Sequence, residues 1–75
     1  MIKKKFLRRL RLIREYLGIN INQLSSLTKI RPGRLSKIER LICRAKPDEI
    51  QKIVLALGIS EELLTGEKHE TRRKN

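Results

Sequence analysis

The chain has 75 residues, 39% of them apolar, and carries 19 Lys and Arg against 8 Asp and Glu, for a net charge of +11. A single domain of that size holds a small core, worth about 3–5 kcal/mol by itself, which leaves room for help from a partner subunit. One cysteine, Cys43, excludes an internal disulfide, no Cys/His cluster has metal-ligand spacing, and no apolar run approaches the roughly 18 residues of a membrane span, so the expected setting is a reducing cytoplasm, without metal or bilayer.

The apolar spacing predicts a first helix over about residues 3–17. Phe6, Leu10, Ile13 and Leu17 form its core-facing stripe, its other side is rich in arginine, and Gly18 supplies the stop. Residues 2–14 are basic and acid-free, like an organelle transit peptide, but they run unbroken into the folding pattern and are taken as structure. Asn20 is a good N-cap for a second helix ending near Thr28. Within it Leu24 and Leu27 are apolar, and Ser25 is small where the next helix must cross closely. Thr28 to Arg31 then forms a turn, and Pro32 suits the first turn of a third helix, where its missing N–H was unpaired in any case. That helix turns Leu35, Ile38 and Ile42 inward. Pro47 with Asp48 and Glu49 opens a fourth helix, the acids favouring the positive end of its dipole, and Ile50, Ile53, Val54 and Leu57 mark its buried stripe. Gly58 ends it. Ser60 caps a short fifth helix through Leu64, closed by Gly66. The expected domain is residues 1–66, all-α and five-helical, followed by a polar, aperiodic and disordered tail over residues 67–75.

Charge is uneven along this frame. Residues 1–47 hold 14 basic and 2 acidic side chains, whereas residues 48–75 are close to neutral, so a polyanion should meet the N-terminal two-thirds. At about 100° per residue, burying Leu35 and Ile38 turns Gly33, Ser36, Lys37 and Arg40 outward and puts Arg34 on the flank. Alone, such a face reads as ordinary solvated helix. Beside a helix N-terminus with free N–H groups, and after a helix and tight turn, it has what phosphate contact and entry into the major groove require.

Several further pieces agree in order and spacing: Ile13-Arg14, Gly18, Leu24-Ser25, Ile30, the run Leu35-Ser36-Lys37-Ile38-Glu39-Arg40, Pro47, Lys52-Ile53, Ala56-Leu57-Gly58-Ile59-Ser60 and Leu63-Leu64. Over residues 14–64 the chain resembles the lambda-repressor/Cro-like, or XRE, family of helix-turn-helix proteins. That resemblance implies a compact five-helix fold that binds DNA, often as a dimer, and pairs Arg14 with Glu39 across helices one and three. The bland alternative for Arg14 and Glu39 is two independent solvated charges. Lys29 and Leu41 depart from the family, standing where it favours glycine, and Leu41 could instead carry helix three on toward Arg44. Pro32 and Gly33 offer no side-chain donor, so base reading would rest mainly on Ser36 and Lys37 with the flanking Arg31 and Arg34. Asn20, Asn22 and Gln23 at the start of helix two, with Arg31, Arg40, Arg44 and Lys46, would hold phosphates.

The function expected is therefore sequence-specific binding of double-stranded DNA by a small, repressor-like transcriptional regulator, without cofactor, metal or evident small-molecule ligand. Leu41, Ile42, Leu63 and Leu64 are the candidates for a homodimer surface. One rival keeps the fold but makes it a protein-interaction module, such as an antitoxin or a transcription adaptor. Another uses the basic stretch 3–14 to bind RNA or a membrane surface, although that stripe has the width of a core face and aromatic residues are nearly absent. Cys43 reads as a small apolar filler rather than a reactive thiol, and His69, in the tail, as inert. With that lone histidine no catalytic Ser/His/Asp or Cys/His set can be assembled, and no enzyme is expected.

Overall fold

A computed structural model of the chain describes residues 4–66. Five helices follow in order: α1 Leu10–Tyr16, α2 Ile21–Thr28, α3 Pro32–Glu39, α4 Pro47–Leu57 and α5 Glu61–Thr65. The expected all-α, five-helix architecture is what the described residues adopt. The tail expected at residues 67–75, with His69, lies outside the described residues, as does the start of the first helix expected at Lys3.

The first helix is shorter than its apolar stripe predicts. The arm up to Leu7 stays out of the helix, because Lys5 and Ala45 exchange both backbone hydrogen bonds, N–H to carbonyl at 3.1 and 2.7 Å, in an antiparallel bridge, and Arg8 and Arg9 then turn the chain into α1. The Arg9 N–H then donates to the Leu64 carbonyl at 2.9 Å, tying the arm to α5 just where α1 begins. An extended arm places alternate side chains inward, and it is Leu7, not Phe6, that is fully buried. Leu17 follows the shift and is 43% exposed at the C-cap of α1. Gly18, at φ 73°, ends the helix in a Schellman motif in which Gly18 N–H reaches the Glu15 carbonyl and Ile19 N–H the Arg14 carbonyl.

Helix α2 begins as the sequence predicts. The Asn20 side chain accepts from the Gln23 N–H and the Gln23 side chain accepts from the Asn20 N–H, both at 2.8 Å, a reciprocal capping box. Leu24 and Thr28 form the buried edge of α2, while Leu27, expected among the apolar packing positions, is 58% exposed. Thr28 is tolerated inside because its hydroxyl donates to the Leu24 carbonyl at 2.8 Å.

Helix α3 stops at Glu39 and does not run on toward Arg44. Leu41 takes a left-handed conformation at φ 63°, its N–H bonds the Ile38 carbonyl, and the Ile42 N–H bonds the Lys37 carbonyl. This is again a Schellman stop, made here without glycine, at a local cost of about 1–2 kcal/mol. Because the chain turns there, Ile42 leaves the helical register and is 60% exposed rather than inward.

The buried apolar core comprises Leu7, Leu10, Leu24, Ile30, Leu35, Ile38, Ala45, Ile50, Ile53, Leu57 and Leu64. Every element from the arm to α5 contributes to it. Leu64 therefore cannot belong to a homodimer surface, since it is fully buried within its own subunit, whereas its neighbour Leu63 is 42% exposed. Among the described residues no helix is long and apolar enough to cross a membrane.

Candidate nucleic-acid interface

Three residues, Lys29, Ile30 and Arg31, join α2 to α3. Lys29 caps α2 in the left-handed region at φ 64°, and two side chains hold the turn that follows. The Ser25 hydroxyl donates to the Ile30 carbonyl at 2.6 Å, and the Ile30 N–H donates to the Thr28 hydroxyl at 3.3 Å. Ile30 itself is anchored in the core. The small Ser25 thus sits where a longer side chain would lose the bond that closes the turn.

Across the core face of α3, Arg14 and Glu39 form the ion pair that the resemblance implies. The Arg14 Nε and Nη2 both donate to the Glu39 carboxylate, and Nη1 donates to the Ile19 carbonyl at 2.8 Å. The two side chains are only 12% and 6% exposed. The hydrogen bonds it donates to Glu39 hold the Arg14 guanidinium more firmly protonated than usual, against the opposing effect of burial. This pair fixes α3 to the end of α1, so the opposite face of α3 points away from the body of the domain.

On that outward side Arg31, Pro32, Gly33, Lys37 and Arg40 are exposed and Ser36 is half-buried. No side chain caps the N-terminus of α3. The first intrahelical bond runs from the Leu35 N–H to the Arg31 carbonyl, so the N–H groups of Gly33 and Arg34 precede the ladder and lie at the positive end of the helix dipole. Gly33 is unusual. Glycine inside a helix costs roughly 0.5–1 kcal/mol relative to alanine. Neither a left-handed backbone nor crowding requires it here, for an added Cβ would meet nothing within 4 Å.

The remaining expected contacts divide by partner. Asn20 and Gln23 use their side-chain oxygens in the capping box, which leaves each NH2 group to donate outward, and Asn22 is exposed beside them. Arg34 is held within the domain. Its Nε and Nη2 both donate to the Glu49 carboxylate at 3.0 Å, and Nη2 also reaches the Arg44 carbonyl at 3.2 Å. Arg34 therefore ties α3 to the start of α4 and to the loop between them. Glu49 also accepts the Lys46 N–H at 2.8 Å, closing the first turn of α4. The guanidinium of Arg44 stacks 4.8 Å from the centre of the Phe6 ring, a cation–π contact that sets its direction.

A shallow depression of about 450 Å³ runs from the turn to α4; Arg31, Arg34 and Lys46 line it with Lys29 and Lys52, and Asp48 and Glu49 from the first turn of α4 line it too. A second, of about 440 Å³, brings Arg34, Arg44 and Lys46 together with Lys4 and Phe6. Asn20, Asn22, Gln23, Ser36, Lys37 and Arg40 line neither. Sequence reasoning missed Lys4, Lys29 and Lys52 as members of the basic surface. Helical spacing puts Phe6 in the core stripe because the backbone pairing of Lys5 with Ala45 leaves no periodic trace.

The Arg34–Glu49 pair carries a pH signature. Hydrogen bonding from Arg34, aided by the Lys46 N–H, holds the Glu49 carboxyl below its ordinary value of 4.5 despite burial. A carboxylate depressed on folding contributes stability that is full above that ordinary value and is lost as pH falls through the lower folded value. Urea unfolding from pH 7 down to pH 3 is expected to show a steeper loss in the unmodified protein than in a Glu49→Gln variant. Parallel losses in the two would contradict this role for Glu49.

Two helices joined by a short turn, the first anchored and the second presenting an exposed cationic face and an uncapped N-terminus, define a helix-turn-helix of the DNA-binding class. A helix-turn-helix family model matches residues 10–64, and the chain belongs to that family, whose domain is of the lambda-repressor/Cro-like, XRE type. The protein is accordingly a DNA-binding protein of the kind that regulates transcription. No curated protein sequence matches the chain at a significant level.

Proposed function

We propose that the protein is a sequence-specific, repressor-like regulator that binds duplex DNA as a homodimer, with α3 in the major groove. The observation that carries this reading is the first turn of α3. It has exposed N–H groups, no side-chain cap, and a glycine that the fold itself does not need. A DNA backbone or groove wall approaching there would accept those N–H groups and require the missing Cβ.

In this reading Lys37, exposed one turn into α3, reads base edges with Ser36, and Arg31 flanks them. Arg40, Arg44, Lys46 and the outward amides of Asn20, Asn22 and Gln23 hold phosphates and set register. Arg34 acts through Glu49 and the Arg44 carbonyl, positioning the loop that carries Arg44 and Lys46, rather than as an independent reader. Leu41, Ile42 and Leu63, which are partly exposed in a small domain, supply the homodimer contact.

Selection of bound duplexes from a random pool tests the proposal. The expected winner is a short motif repeated about its own two-fold axis, with half-site centres about one helical turn, 10–10.5 base pairs, or a multiple of that apart. A pool that shows no enrichment, with a single cellular protein captured instead, would favour the interaction-module reading.

A further inference from the structure

The arm before α1 has a chemistry that the α3 face does not use. Its backbone is pinned to Ala45 and its Leu7 is locked in the core, so the flanking cations are held in place rather than trailing in solvent. Lys4 and Arg8 are exposed and, with Phe6 and Arg44, line a depression of about 250 Å³. Lys5, in the same wall, reaches Glu61 at 2.7 Å and neutralises it. No carboxylate lines this depression or the adjoining one of about 440 Å³, with which it shares Lys4, Phe6 and Arg44. The second depression in turn shares Arg34 and Lys46 with the one that reaches the helix-turn-helix turn. The cationic surface therefore continues from Arg31, through Lys46 and Arg44, to Lys4 and Arg8; the acids along it are Asp48 and Glu49, both in the depression beside the turn, and Glu49 is paired with Arg34.

We propose that the pinned arm is a second phosphate clamp, in which Lys4 and Arg8, together with Arg44 on the Phe6 ring, hold the backbone of duplex DNA flanking the segment that α3 reads. The clamp rests on the DNA reading given above and extends it. Its chemistry selects a duplex flank over the other polyanions. The one phenylalanine at the site is half-buried with a guanidinium over it, which leaves no open ring for stacking a single-stranded base. Among the described residues the arm's leucine is spent in the core and its phenylalanine is half-buried, so the arm offers no fully exposed apolar side chain to a bilayer. Because the arm is already ordered, contact with phosphate involves little loss of chain entropy.

The test compares the unmodified protein with a Lys4→Ala/Arg8→Ala double variant, whose changes lie outside the core and whose folding is checked by circular dichroism. Each is titrated with the selected duplex carried in flanks of about ten base pairs on either side, and with the same duplex trimmed of its flanks. On the long duplex the double variant is expected to bind about 10–100-fold more weakly at about 100 mM salt, with a salt slope smaller by about 2 per subunit. On the trimmed duplex the two proteins should bind alike, with the same base preference. Equal affinity on the long duplex would overturn the clamp, as would an equal loss on both duplexes. A loss confined to vesicles of phosphatidylserine and phosphatidylcholine would also overturn it and assign the arm to lipid. Failure of the clamp alone leaves the unmodified protein bound to the selected duplex. Failure of the underlying DNA reading removes that binding as well.

Discussion

Raising salt from about 50 to 200 mM is expected to weaken DNA binding by roughly 10³–10⁵-fold, the response of a complex that makes about 6–10 phosphate contacts. The expectation follows from where the charge lies. Fourteen of the 19 basic side chains fall within residues 1–47, which hold only two acids, Glu15 and Glu39. Glu39 is already paired with Arg14, and Glu15 bonds Arg11 on an exposed face of α1. What is left to face a ligand is cationic: Arg31, Lys37, Arg40, Arg44 and Lys46. Neutralising phosphates with such groups releases condensed counterions, and added salt opposes that release. Affinities measured at four or five salt concentrations are sufficient. A flat response would mean that these cations do not meet a polyanion.

The second large effect concerns the fold that presents α3. Arg14→Ala or Glu39→Ala, made singly, should destabilise the domain by about 3–5 kcal/mol, because either change strands a charge that is nearly excluded from water. A core of this size supplies about as much in total, so each single variant is expected to be largely unfolded at room temperature. An Arg14→Met/Glu39→Leu double variant removes both charges and should recover much of the loss. Urea denaturation of the three variants measures this directly. Losses below about 1 kcal/mol in both single variants would put the pair among ordinary surface ion pairs.

Local chemistry makes much of the fold legible in the sequence. Asn20, Ser60 and the prolines at 32 and 47 mark helix starts, and Gly18, Gly58 and Gly66 mark stops, because caps and left-handed residues act within a single turn of chain. The stripe Ile50, Ile53, Val54 and Leu57 identified α4 for the same reason. What failed depended on partners far away in sequence. Phe6, Leu10, Ile13 and Leu17 keep perfect helical spacing, yet the Lys5–Ala45 bridge pulls the first part of that stripe into an extended arm and exchanges Phe6 for Leu7 in the core. Ile42 looked inward on an α3 that continued, and the left-handed Leu41 turned it out.

The candidate interface divides in the same way. The outward set Gly33, Ser36, Lys37 and Arg40 follows from helical periodicity once Leu35 and Ile38 are buried. The commitment of Arg34 to Glu49, 15 residues on, does not, and neither does the seating of Arg44 on Phe6. Lys29 and Lys52 enter the basic surface only because the turn and α4 face one depression.

The central claim, that α3 reads sequence while its surroundings hold the backbone, is tested most directly by titrating Lys37→Ala and Arg40→Ala against the selected duplex and a random one. Lys37 can reach guanine O6 or N7, so its loss should relax base preference at one position per half-site, at a cost of about 1–3 kcal/mol on the selected duplex alone. Arg40, the C-cap just past the end of α3 and nearer the groove wall, should when lost weaken both duplexes alike and lower the salt slope by about one. Equal losses on selected and random DNA in both variants would contradict the claim, and α3 would then not be the reading element.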